Sequence, residues 1–167
     1  MHSYNFSFNE WVKSRILQEN YQPEHTGILK VKPNPTQIVE IQNKVLEKFP
    51  DLKPLPQDKL HVTMLHQQLA KPLKGAVLPP LQTEITFNPS QIYSVERDGK
   101  KSVFAVVVEQ EALKRYMEEL AQQTNIQIEP NRVYHVTVAN LTGNVADSVG
   151  HSEDNPIMNG AQQISLE

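Results

Sequence analysis

The sequence predicts an α+β chain built on one strand–helix–strand unit that occurs twice. Two segments place apolar residues at helical spacing, and each is preceded and followed by a short run rich in β-branched residues. Each following run carries a histidine and a threonine one residue apart, in "HVTM" and in "HVTV". About 25 residues separate the start of each helix from its histidine, a match that local composition does not require.

At the front, Ser7 and Glu10 have capping-box spacing ahead of Trp11, Val12, Ile16 and Leu17, which predicts a helix inside an N-terminal extension, 1–24. The first unit begins with a strand over 27–32. Asn34 and Pro35 then open a helix whose stripe is Ile38, Ile41, Val45, Leu46 and Phe49, and "PDLKPLP" ends it. The next strand carries His61 and Thr63. "QTEITFN" and "QIYSVERDGKKSVFAVVV" read as further strands, the second folded on a tight hairpin at Asp98 and Gly99. The second helix shows Leu113, Tyr116, Met117, Leu120 and Ala121 on one face and leads into "RVYHVTVANL". "NLTGNVADSVGHSEDNP" is the longest polar loop and is expected to form a rim or lid, and "QQISLE" adds a final strand. With no low-complexity linker, a single domain over 1–167 is expected, its two lobes centred on residues 61–63 and 135–137.

Composition narrows the function classes. A chain of 167 residues, 38% apolar, with mean hydropathy -0.49, can bury a core and stay soluble. The longest apolar run, 103–108, is too short to span a bilayer, and the N-terminus lacks the basic and apolar regions of a signal peptide, so no membrane association and a cytoplasmic location are expected. Without cysteine there are no disulfides, no thiolate nucleophile and no cysteine-bound zinc. Histidine must then carry acid–base chemistry near neutrality. A net charge of -3 and no cluster of basic residues argue against a protein that grips long nucleic acid; a small anionic ligand stays open.

Strand alternation puts His135 and Thr137 on one face and Val136 and Val138 on the other. One such pair could be a satisfied histidine beside a threonine chosen for β propensity. By residue frequencies alone, two chance matches to H-x-[ST] arise in roughly one such sequence in eight, so the pattern is weak by itself. Its context strengthens it: both matches fall in strands and follow a helix at nearly equal distance, whereas His2, His25, His66 and His151 match nothing comparable. No H-E-x-x-H or similar spacing supports a metal site, and neither a G-x-S-x-G elbow nor a G-x-x-x-x-G-K-[ST] loop is present, so neither cofactor nor metal is expected. His66 reads as a loop or surface residue, Tyr134 as packing opposite His135, and Lys30 and Arg97 as solvated strand positions. Tyr4, Trp11, Tyr21, Tyr93 and Tyr134 are the aromatic residues available for base stacking, each more readily explained as core or surface.

With "HVTM" and "HVTV" as its two motifs, the sequence resembles the 2H phosphoesterase superfamily from about residue 27 to the C-terminus. That resemblance implies a bilobal, pseudo-symmetric fold, with two antiparallel sheets flanking a central groove and helices packed outside. It implies metal-independent chemistry on RNA ends, 2′,3′-cyclic phosphates or oligonucleotide linkages, with His61, Thr63, His135 and Thr137 as the catalytic set. "ANLTGNVADSVGH" is also similar to a segment of phage-encoded members, including the anti-CBASS nucleases that degrade cyclic oligonucleotide alarms, which implies evasion of host defence from within the host cytoplasm. The missing basic surface departs from a tRNA-ligase-like member.

The chemistry fits these residue types. When a ribose 2′-hydroxyl cleaves its own phosphodiester, one proton must leave the nucleophile and another must reach the departing 5′-oxygen, and two imidazoles can hold those roles together. Negative charge gathering on the non-bridging oxygens is then met by the hydroxyls of Thr63 and Thr137. The leading expectation is a phosphodiesterase cleaving 3′-5′ linkages of a cyclic or short linear oligonucleotide. The alternatives are an RNA-end 2′,3′-cyclic phosphodiesterase or 2′-5′ RNA ligase-like enzyme, and a non-catalytic sponge that binds cyclic nucleotides. Two histidines favour an enzyme, since binding alone is served by arginine or lysine.

Overall fold

Asn34 and Pro35 open helix α1 (Pro35–Lys48) as their chemistry favours. The Asn34 side chain accepts the Gln37 N–H at 3.0 Å, and a proline in the first turn gives up no helical hydrogen bond. Ile38, Ile41 and Val45 turn inward with Gln42 buried among them. The Phe49 N–H closes the last turn on the Val45 carbonyl at 2.8 Å, and Pro50 cannot continue it. Helix α2 (Gln67–Ala70) is a single turn, and α3 (Gln110–Thr124) buries Leu113, Tyr116, Met117 and Leu120. It stops at Asn125, whose φ of 58° is a left-handed cap that asparagine tolerates. The computed structural model describes residues 22–166, so the helix expected around Ser7 to Leu17 lies outside the described residues.

The described strands are β1 (Glu24–His25), β2 (Leu29–Val31), β3 (Lys53–Pro54), β4 (Val62–Leu65), β5 (Phe87–Arg97), β6 (Lys100–Val107), β7 (His135–Asn140) and β8 (Gln162–Ile164). They form two antiparallel sheets, ordered β1-β2-β4 and β3-β7-β6-β5-β8, so the protein is α+β. The unit read twice in the sequence has a structural counterpart. Strand β2 leads to α1 and then to its antiparallel neighbour β4; β6 leads to α3 and then to its antiparallel neighbour β7. The sheets are unequal, with three and five strands, because β3 crosses from the first unit to pair with β7 of the second.

One apolar cluster joins Leu29 and Val62 of the small sheet, Val103 and Val136 of the large one, and Ile38 and Leu113 of the helices. Burying each such side chain contributes roughly 1.5–3 kcal/mol. The valines between the motif residues, Val62 and Val136, are thereby the anchors of their strands. Buried Gln42 adds a polar tie, donating from Nε2 to the carbonyls of Leu55 and Val138, both at 2.9 Å. It meets Val138 where the β6–β7 register shifts, between the pairs Phe104↔Thr137 and Val103↔Ala139.

Several sequence expectations are revised. "QTEITFN" is not a separate strand: residues 82–86 lack ladder geometry, and only Phe87 begins β5, which bulges before Ile92. Pro89, without an N–H, sits at that bulge, where a ladder bond is dispensable. The hairpin at Asp98 and Gly99 forms as expected, with φ of 53° and 79° at its two turn residues. Strand β4 starts at Val62, which leaves His61 just outside the ladder, and β7 starts at His135 itself. Among the described residues no helix is long and apolar enough to cross a membrane.

Candidate functional site

Thr63 lies on β4 and Thr137 on β7, while His61 and His135 stand at the entrances to those strands. Along β7 the burial alternates, with His135 and Thr137 half-buried and Val136 and Val138 fully buried, as the opposite faces of a strand require. All four motif residues line one cavity of about 130 Å³ between the sheets.

The two imidazoles are held in the same way. His61 Nδ1 lies 2.7 Å from the Lys59 carbonyl, and His135 Nδ1 lies 2.9 Å from the Val133 carbonyl. A carbonyl oxygen only accepts, so each ring donates Nδ1–H to the residue two positions upstream. The proton-accepting lone pair is thereby assigned to Nε2 in both rings. Neither Nε2 has a hydrogen-bond partner among the described residues, and no buried side-chain nitrogen is orphaned, so each reaches open space at the cavity.

Packing and charge then decide the protonation state. Desolvation pushes His135 down to about 4, only partly opposed by its bond to the Val133 carbonyl and reinforced by the Arg132 charge. The Phe104 ring meets it edge-on at 5.1 Å between centroids, an apolar wall on one side. His61 is likewise lowered, first by desolvation, with Lys30 and Lys59 adding repulsion against the Lys59 carbonyl bond and Glu24. Both rings are therefore neutral bases near neutral pH. A nearby negative charge would favour the imidazolium instead.

Gln110 secures the approach to His135. Its Nε2 donates to the carbonyls of Val107 and Tyr134, at 2.8 and 2.7 Å, and its Oε1 accepts the Tyr134 N–H at 2.9 Å. With Tyr134 itself buried, the backbone just before the motif is held from both sides. The polar loop after β7 forms the rim, as expected: Val145, Ser148, Val149, Gly150 and His151 all face the cavity. It is a built structure. Buried Asn140 donates to the Asn144 carbonyl and Ser148 Oγ and accepts from the N–H groups of Thr142 and Gly143, while the Val149 N–H donates to buried Ser102. Gly143, at φ 81°, passes so close to the Pro54 carbonyl that a Cβ would sit 3.1 Å from it.

Arg97, read from sequence as a solvated strand position, instead clamps this loop. Its guanidinium donates to the carbonyls of Asn155, Pro156, Ile157 and Asn159. Tyr93 is half-buried and stacks one face on Phe104 at 5.8 Å between centroids, and Tyr134 is core; Tyr4, Trp11 and Tyr21 lie outside the described residues.

Arg132, His151 and Lys59 line this cavity without having been assigned to it from sequence, and His66 joins them. Arg132 bonds through Nε to the Thr63 carbonyl at 3.0 Å and pairs with Glu129. His151 accepts the Ile157 N–H on Nδ1 at 3.0 Å and turns Nε2 towards Glu129 at 3.9 Å; desolvation, then the Arg132 charge, lower it to about 4. His66 lies on the loop between β4 and α2, as expected, and there donates Nε2–H to the His151 carbonyl at 2.7 Å and lines the same cavity. Only the place of Arg132, three residues before His135, hinted at such a role. Among the described residues no three histidine or carboxylate side chains converge as metal ligands.

No family model matches the chain, and no curated protein or solved structure is similar to it at a significant level.

Proposed function

We propose that this chain is a 2H-type, metal-independent phosphodiesterase that cleaves 3′-5′ linkages in cyclic or short linear oligonucleotides. The observation that carries the reading is the matched pair of imidazoles, each donating Nδ1–H to the carbonyl two residues upstream and leaving Nε2 open at one cavity shared with Thr63 and Thr137. The finer fold description, two pseudo-symmetric lobes around a groove, belongs to this proposal and draws support from the repeated strand–helix–strand order.

In the reaction, the substrate's 2′-hydroxyl attacks phosphorus while one Nε2 takes its proton. The other imidazole, charged once the phosphate is bound, gives a proton to the departing 5′-oxygen. The Thr63 and Thr137 hydroxyls donate to the non-bridging oxygens as charge gathers there. The P–O5′ bond breaks, and a 2′,3′-cyclic phosphate and a free 5′-hydroxyl result. A cavity of about 130 Å³ lined by both motifs is on the scale of a single phosphate group and its immediate surroundings. This suits a small signal molecule of the kind used in host defence, with phage antagonism as its biological setting.

The test is incubation with cyclic di- and trinucleotides and with RNA ending in a 2′,3′-cyclic phosphate, resolving products by chromatography. Cleavage of a ribonucleotide linkage, lost when only the attacking 2′ position is deoxygenated, is the expected result. Equal cleavage of both would mean direct attack by water. Binding without cleavage of any of them would leave a sponge.

A further inference from the structure

The strongest feature outside the paired motifs is the guanidinium of Arg132. Its side chain is 3% exposed, yet it lines the cavity that His61 and His135 share. Of its five N–H groups, the one on Nε goes to the Thr63 carbonyl and NH1 meets Glu129, the carboxylate that faces it. The remaining nitrogen, NH2, bonds to nothing among the described residues. No buried side-chain nitrogen is left unsatisfied, so NH2 keeps accessible surface; Arg132 lines the motif cavity and also a second one beside Glu129 and Tyr134. A desolvated planar cation with one free edge is a geometry that takes an oxyanion.

Its position adds a second argument. Arg132 stands just before β7 of the large sheet but bonds to the backbone of Thr63, on β4 of the small sheet. One side chain therefore spans the seam between the two H-x-T motifs. Glu129 fixes it from behind, and His151 sits against that carboxylate in turn.

We propose that Arg132 is a phosphate-binding residue of this cavity: its NH2 edge receives a non-bridging oxygen of the scissile phosphate, alongside the threonine hydroxyls, while its Nε bond holds Thr63 in register. This rests on the phosphodiesterase reading for the identity of the ligand, but not for the binding of an anion. An arginine in this place also explains how a cavity without a broad basic surface could recruit a charged linkage.

The experiment uses inorganic phosphate as the probe, titrated into the full chain and followed by the proton resonances of the histidine rings. In the wild type, phosphate should shift the His61 and His135 signals and raise their pKa values. Arg132→Lys should weaken phosphate by about tenfold, because an ammonium keeps Glu129 paired but lacks the fork. Arg132→Met combined with Glu129→Leu removes both buried charges together and should lose phosphate more fully while unfolding cooperatively. Should the double variant not fold, the Arg132→Lys titration decides the matter by itself. Unchanged phosphate affinity in Arg132→Lys would overturn the assignment, even if the wild type proved an active phosphodiesterase. Conversely, phosphate bound through Arg132 by a protein that cleaves no oligonucleotide would leave this inference standing and remove the reading of the function.

Discussion

Lowering the pH should weaken the fold through His135, and the size of the effect follows from its surroundings. The folded protein holds this imidazole at about 4, against 6.5 for an unperturbed ring. Between those values the unfolded chain binds a proton that the native chain refuses, so stability is complete above pH 6.5 and falls as pH drops towards 4. That difference sets a ceiling of about 3.4 kcal/mol, of which about 2.5 kcal/mol is reached by pH 4.5. The ring keeps part of its surface open to the cavity, and solvent there brings the expected loss to about 2 kcal/mol. For a domain stabilised by about 5–15 kcal/mol this is a large fraction. The control is His135→Asn, which retains an amide donor for the Val133 carbonyl but does not titrate. Urea unfolding followed by circular dichroism at pH 7.5 and pH 4.5 gives the loss for each protein. The wild type should lose about 2 kcal/mol more than the variant. Equal losses would show that His135 is not held neutral, and the description of a cavity lined by neutral imidazoles would fail with it.

The same burial sets the pH profile of the proposed reaction. Since both His61 and His135 are lowered in the free protein, kcat/KM should peak below pH 6.5, whereas kcat, read on the phosphate-bound protein, should peak at higher pH; an alkaline optimum for kcat/KM would contradict the assigned environments. His61→Ala and His135→Ala should each lower kcat by about a hundredfold or more with substrate binding largely kept, as measured by single-turnover assays and equilibrium binding. Activity should survive excess chelator, and loss in EDTA followed by rescue with a divalent metal would count against the mechanism. Arg97→Met, by removing the clamp on four carbonyls, should cost about 1–2 kcal/mol and speed hydrogen exchange around residues 155–159 while leaving the β5–β6 hairpin protected.

What the sequence alone determined was whatever depends on neighbours a few residues apart. The stripe Ile38, Ile41, Val45 specified the buried face of α1, Asn34 and Pro35 its start, Asp98 and Gly99 the hairpin, and strand alternation the separation of His135 and Thr137 from Val136 and Val138. The pairing of the two H-x-T motifs was also legible, because repetition is a property of the string. Other features required the tertiary fold. The crossing of β3 into the far sheet, the merging of two expected strands into β5 and the clamp formed by Arg97 all depend on backbone groups distant in sequence. The further members of the cavity do as well: Arg132 meets the Thr63 carbonyl across 69 residues, and His66 meets the His151 carbonyl across 85. A carbonyl acceptor has the same chemistry at every residue, so no residue type marks which one a distant arginine or histidine will find. Periodicity records which face of an element avoids water, but the partner of a buried polar side chain is chosen only when the sheets have packed and the remaining unpaired groups must satisfy one another.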